Sequence, residues 1–321
     1  MSDKRRCCAE REDVDNSRRS FLRGGTLSAM GLLALSTRQL AAKEETRTYR
    51  MEQIRSGVGF FYERGGTVGW LMTGDAVVVV DTDFPEGAVH LLAEIERRTS
   101  KPIEFVINTH HHGSHTSGNS VFQGKARALV AHENSKKNQL AEHERKGIWN
   151  RLTKTPDQYF PDVTFVKTWS RKIGGETVVA TYLGPGHTDG DVLVHFQNAN
   201  VVHAGDMLYH KTPPFFDQDA GASFLGAMDV VEKMIALFDE DTKFIAGHSG
   251  VAERVVGLRE VKGYHEFLVR VRETVKVGIK AGRTKDQVSA IAVVPGAEEW
   301  RGDLLKSTLA AAYHELSKEP A

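Results

Sequence analysis

Asn108-Thr109-His110-His111-His112-Gly113-Ser114-His115 is the stretch on which the fold turns, because it gathers four of the chain's 14 histidines within six residues. His110 and His112 are two apart, so in an extended segment they point to the same side. His115 lies beyond a glycine-containing turn and can reach inward from another angle. The preceding run, Ile103 to Asn108, reads as a buried strand that ends at the cluster. Neutral imidazoles converging at the end of such a strand suit Zn²⁺. By itself, the cluster fits a solvated histidine-rich loop equally well.

Three later segments favour the metal. Gly184-Pro185-Gly186-His187-Thr188 presents one histidine in a tight turn after a strand. Gly205-Asp206 places a carboxylate after the apolar run Val201 to Ala204. Gly247-His248-Ser249 follows Phe244-Ile245-Ala246. Each candidate ligand sits where a strand ends, the usual place for sites in layered α/β folds.

The elements around these segments come in two series. Tyr49 to Tyr62 reads as an edge strand or irregular lead-in. Thr67 to Thr73 and Ala76 to Asp81 read as two strands joined at Gly74-Asp75. The β-branched run Val77 to Val80 suits a strand buried on both faces. Pro85 to Arg98 reads as a helix with Pro in its first turn and Val89, Leu92 and Ile95 on one face. Ala128 to Ala131 is a short strand, and Asn134 to Gly147 a polar helix. In the second series, the strands are Thr164 to Lys167, Thr177 to Tyr182, Val192 to Phe196, Val201 to Ala204 and Lys243 to Ala246. Phe224 to Phe238 is an amphipathic helix, and further helices occupy Gly257 to Gly282 and Asp303 to Ser317. Two sheets packed face to face with helices outside, a four-layer αβ/βα sandwich, account for this order. A doubly wound parallel sheet would need regular βαβ alternation, which the hairpin-like 177–204 region opposes. The expectation is a single domain over 43–321 whose C-terminal helices pack outside and offer a possible homodimer surface.

The motif order H-x-H-x-x-H, G-H-T, G-D, G-H is similar to that of the metallo-β-lactamase superfamily, whose first motif is usually H-x-H-x-D-H. Gly69 to Asp81 resembles the family's paired early strands ending in Asp. Asn119 resembles the asparagine after its first motif, and Asp191-Val192-Leu193-Val194 the strand after its third. The likeness covers roughly residues 58 to 255. It implies that His110, His112 and His187 bind a first zinc, that His115 and His248 bind a second, and that Asp206 bridges the two. It also implies that Asp81 and Asn119 orient ligands from behind.

Ser114 departs from this pattern, standing where the family has Asp. A serine hydroxyl is neutral, a poor base and a weak zinc ligand. Asp206 and Ser114 are therefore the residues on which catalysis turns. Three outcomes follow: two metals with water in the gap, one metal in the three-histidine site, or a silent relative. Asp189, Asp191, Asp217 and Asp219 are candidates for the missing carboxylate, with solvation or capping as the favoured account of all four. In the loop 207–223, Tyr209, His210, Phe215 and Phe216 suit a wall of the substrate pocket, or ordinary packing.

Composition agrees with an ordinary globular protein: 321 residues, 40% hydrophobic and 26% charged. Formal net charge is zero, and 43–321 carries 34 basic against 37 acidic residues. No basic stripe points to nucleic acid. Cys7 and Cys8 are the only cysteines, so residues 43–321 offer no disulfide and no thiol nucleophile. Ser17-Arg18-Arg19-Ser20-Phe21-Leu22-Arg23, followed by the mostly apolar Gly24 to Leu35, resembles a twin-arginine export signal. Residues 1–42 are then a leader handled by the twin-arginine machinery, and the destination is the periplasm. The expected activity is hydrolysis of a small-molecule ester, lactone or β-lactam-like amide by zinc-activated water. The alternatives are a metal-binding pseudoenzyme or accessory protein, and a mononuclear iron oxygenase of the same fold.

Overall fold

The structure, a computed structural model, describes residues 49–145 and 158–318. The leader and its arginine pair lie outside the described residues, as does the end of the polar helix beyond Arg145. Residues Thr48–Ala321 form one compact unit.

The first sheet takes seven strands in chain order: β1 (Arg50–Arg55), β2 (Val58–Tyr62), β3 (Val68–Met72), β4 (Val77–Val80), β5 (Ile103–Ile107), β6 (Ala126–His132) and β7 (Val163–Phe165). β1 to β4 pair antiparallel, and β4 to β7 pair parallel. The lead-in is thus a hairpin with β1 at the edge, turning at Ser56 and Gly57, both with positive φ. Helix α1 (Pro85–Arg98) supplies the crossover from β4 to β5, and α2 (Gly113–Thr116) is the single turn that carries His115. Helix α3 (Glu133–Arg145) follows β6.

The second sheet uses β8 (Thr168–Ile173), β9 (Glu176–Thr181), β10 (Leu193–Phe196), β11 (Val201–His203), β13 (Lys243–Ile245) and β15 (Val255–Val256), in the order β15-β13-β11-β10-β9-β8. The short β12 (Tyr209–His210) and β14 (His248–Ser249) pair parallel beside it. Helix α4 (Phe224–Leu237) connects β12 to β13, and α5 (Leu258–Lys280), α6 (Lys285–Ser289) and α7 (Leu305–Leu316) close the chain. The region 177–204 is antiparallel throughout, which excludes the doubly wound sheet.

Three apolar cores separate four layers. The middle one joins the sheets, with Phe60, Val78, Val80 and Ile107 against Val178, Val194, Phe196 and Val201. The second covers the outer face of the first sheet with α1. The third packs α4, α5 and α7 on the outer face of the second sheet. Strand β4 shows why its sequence is continuous rather than alternating: Val78 and Val80 face the middle core, while Val77 and Val79 face α1.

Three readings change. Thr164 to Lys167, grouped with the second series, instead pairs parallel to β6 as β7 at the edge of the first sheet. Helix α1 buries Ala88, Leu91 and Ile95, whereas Val89 is 53% exposed. An i, i+3, i+7 stripe starting at Ala88 satisfies the 3.6-residue period, and Val89 falls outside it. Strand β8 escapes sequence reading because only Trp169 and Ile173 of its six residues are buried.

Candidate metal centre

The buried ends of β4, β5, β9 and β11 and the small strand β14 converge on one point. His110, His112 and His187 bring ring nitrogens, and Asp206 a carboxylate oxygen, all within 4.8 Å of one another. His115, Asp206 and His248 form a second such group, so Asp206 belongs to both. Its Oδ2 lies 3.3 Å from His187 Nε2 and 3.5 Å from His248 Nε2, while Oδ1 lies 3.1 Å from His115 Nε2. All six ligand candidates named from the sequence are therefore brought together.

The outer nitrogens of these rings are already committed. Asp81, left-handed at the end of β4 with φ 65°, accepts from Thr109 N at 2.7 Å and Thr109 Oγ1 at 2.8 Å. Its Oδ2 also meets His115 Nδ1 at 2.7 Å. Because the Thr109 hydroxyl hydrogen goes to Asp81, His110 Nδ1, at 3.1 Å, must donate to Thr109 Oγ1. That leaves His110 Nε2 buried without a partner. His187 Nδ1 donates to Phe215 O at 2.7 Å. His112 Nε2 donates to Asp217 Oδ2 at 2.8 Å.

These commitments leave His112 Nδ1 and His187 Nε2 as two bare lone pairs 2.7 Å apart. Such a pair repels unless a cation or proton lies between them. Together with the orphaned His110 Nε2, this shows that the residues present fit a divalent cation.

The electrostatics set His115 apart from the other buried imidazoles. Burial holds His187 down to about 3, against the pull of Asp206, and His110 well below its ordinary value. Burial also lowers His248. His115 is buried too, but Asp206 and Asp81 outweigh that and raise it to about 10. Burial disfavours the Asp206 carboxylate, yet the surrounding imidazoles, His248 and His115 foremost, keep it well below the usual range.

Asn119 stands behind the first motif, exchanging side-chain hydrogen bonds with Asn108 at 2.9 and 3.0 Å and accepting from Thr82 Oγ1 at 3.0 Å. Of the four aspartates considered for the gap at Ser114, none joins His115, Asp206 and His248. Asp191 accepts twice from Thr188, both at 2.7 Å, which shapes the His187 turn; burial raises it to about 7. Asp189 accepts from Asn138, and Asp219 lies in a 3₁₀ turn. Asp217 departs from the favoured account: besides capping Ala220 N, it meets His112 and His111.

The centre opens into a cavity of about 390 Å³, walled by Ser114, Tyr209, Thr212, Phe215, Ser249 and Leu304. Tyr209 donates its hydroxyl to Asp206 Oδ2 at 2.7 Å, and its burial pushes the phenol well above its ordinary value. Two expected wall residues are elsewhere. His210 faces a larger cavity of about 690 Å³ with Glu253 and Trp300, because neighbouring residues of β12 point to opposite sides. Phe216 packs against Phe224 in the helical core, 5.6 Å between ring centroids. The larger cavity contains none of the converging ligands, so size does not mark the reactive site here.

Sequence reading passes over Thr109, which aligns Asp81 with His110, and over Gly66. A Cβ at Gly66 would lie 2.2 Å from His115 Nε2, so only glycine lets this loop close over the ring. The Gly65-Gly66 pair between two strands was the available signal.

The sequence model of the Metallo-beta-lactamase superfamily matches residues 62–248. Metallo-beta-lactamase IND-1 of Chryseobacterium indologenes is 25% identical over 180 residues, 56% of this chain and 70% of that relative. A hydroxyacylglutathione hydrolase of Brucella canis is 28% identical over 201 residues, 62% of this chain and 67% of that relative. Among solved structures, a metallo beta lactamase from Hirschia baltica superposes with a TM-score of 0.55 at 17% identity, over 69% of this chain and 98% of that one. The sec-alkyl sulfatase PisA1 gives 0.63 at 14% identity, over 83% of this chain but 50% of that one. At these identities the superpositions speak for the fold alone.

Proposed function

Because the chain belongs to the metallo-β-lactamase superfamily, we propose that it is an exported, zinc-dependent hydrolase of a small ester, lactone or amide. The observation that carries the reading is the pair of lone pairs on His112 and His187, facing each other beside the unpartnered His110 Nε2 at the floor of an open cavity. Imidazole-rich sets with one carboxylate favour zinc among the common divalent cations. When bound, zinc would supply hydroxide near neutral pH and polarise the scissile carbonyl or phosphoryl oxygen.

The chain's own residues do the rest. His110, His112 and His187 would hold the first ion and His115 and His248 a second, with Asp206 within reach of both. Ser114 is a neutral hydroxyl, and Asp206 is the one carboxylate among the described wall residues of the cavity. Asp206, whose Oδ1 faces His115 Nε2 at 3.1 Å, is thus the carboxylate at hand for the proton of the attacking water. Tyr209 keeps its proton and fixes the other oxygen of Asp206. Phe215 and Leu304 give the cavity an apolar side that suits an uncharged acyl group.

The test is metal content together with turnover on chromogenic β-lactam, lactone, thioester and phosphodiester substrates. Zinc-dependent hydrolysis of at least one carbonyl substrate is expected, abolished by a chelator and restored by zinc. Tight zinc with no turnover across the panel would leave the second reading, a metal-binding accessory protein, which the neutral Ser114 favours. Iron in place of zinc would point to the oxygenase. The leader pattern at Arg18 and Arg19 supports export through the twin-arginine route.

A further inference from the structure

We infer that Asp217 is a positioning residue: it holds His112 from behind so that Nδ1 aims at the first metal pocket, and it ties that ring to His187. This rests on the metal-centre reading above. Asp217 Oδ2 lies 2.8 Å from His112 Nε2 and 3.5 Å from His111 Nε2. A carboxylate only accepts, so His112 presents Nε2–H to it and keeps Nδ1 bare. An imidazole on an extended segment has two tautomers of similar energy; the partner of one nitrogen decides what the other can do.

The same short segment grips the second ligand. The backbone N–H of Asp217 donates to His187 O at 3.0 Å, and Phe215 O receives His187 Nδ1 at 2.7 Å. Three contacts from residues 215–217 thus fix two of the three histidines of the first site, in the turns that follow β5 and β9. The segment is itself anchored. Asp217 Oδ1 caps Ala220 N at 3.3 Å, and Thr308 Oγ1 of helix α7 donates to Pro214 O at 2.6 Å. The C-terminal helix thereby reaches the metal centre through this loop.

Asp217, His111 and His112 are also close enough to hold a cation of their own. The geometry favours positioning: His112 would have to coordinate through Nε2 while its Nδ1 faces His187, and His111 stands at the longer 3.5 Å.

The experiment titrates chelator-stripped wild type, Asp217→Ala and Asp217→Asn with Co²⁺. It reads the affinity of each equivalent by competition with a chromophoric chelator, and the visible absorption bands of the cobalt. Asp217→Ala should weaken the first equivalent by about 10- to 100-fold, the usual effect of losing an outer-shell partner. It should also shift the cobalt bands and leave the second equivalent within a few-fold. Asp217→Asn keeps a carbonyl acceptor and should restore most of the affinity and the bands. If Asp217→Ala does not fold, Asp217→Ser replaces it, since serine keeps the turn cap but is too short to reach His112. Unchanged first-equivalent affinity with unchanged bands would overturn the inference. So would loss of one whole equivalent with the others unaltered, which would make Asp217 a ligand. Affinity is read without turnover, so a wild type that binds metal and hydrolyses nothing ends the hydrolase reading and leaves this result standing.

Discussion

The two halves of the centre should respond differently to pH, and the difference can be measured as protons. Before metal binds, His115 lies between Asp81 at 2.7 Å and Asp206 at 3.1 Å, which lift it from an ordinary 6.5 to about 10. At pH 7 it is an imidazolium, and a metal ligand must be neutral. Removing its proton there costs about 4 kcal/mol, at about 1.4 kcal/mol per pH unit. His187, held to about 3, is already neutral. The second equivalent should therefore release the His115 proton and tighten up to about tenfold per pH unit below about 10. His187 and His110 contribute no such release to the first. The sign for the metal-free fold is the reverse. A raised histidine stabilises it fully below about 6.5, and that contribution fades as pH rises through about 10. The assay is calorimetric zinc titration of stripped protein in buffers of different ionisation enthalpy at several pH values. Asp81→Asn is the control: the amide no longer raises His115, so the release and the slope should both shrink. A second-equivalent affinity that stays flat between pH 6 and 8, or the same slope in Asp81→Asn, would refute the reasoning.

Ser114→Asp adds an anion on the cavity wall shared with Asp206 and His248; it is expected to tighten the second metal, read as zinc retained after dialysis against a mild chelator, and to raise hydrolysis of the substrate panel. Gly66→Ala puts a methyl 2.1 Å from the His115 ring. It should lower metal-free stability by about 1–3 kcal/mol by denaturant titration and weaken the second equivalent, and a wild-type result in both would remove the close-approach argument. Replacing Arg18 and Arg19 together with Lys is expected to strand the protein in the cytoplasm, and fractionation that still finds it in the periplasm would end the twin-arginine proposal.

What the sequence by itself determined was local. Runs such as Val77 to Val80 are buried on both faces wherever they pair, so their composition already marks them as central strands. The ligand types and their order followed from short motifs at strand ends. The four-layer arrangement followed from two series of such strands and the hairpins between them. Tertiary structure decided whatever depends on proximity across the chain. Asp217 looks like any loop carboxylate until the β9 turn and the β5 end bring His187 and His112 to it. Tyr209 and His210 are equal in sequence, and the pleat of β12 sends one to the metal cavity and the other to a different one. Gly66 matters only because the His115 ring comes within touching distance. Periodicity and residue type are written along the chain, but the partner of a side chain is set by register and layer packing, which no local window contains.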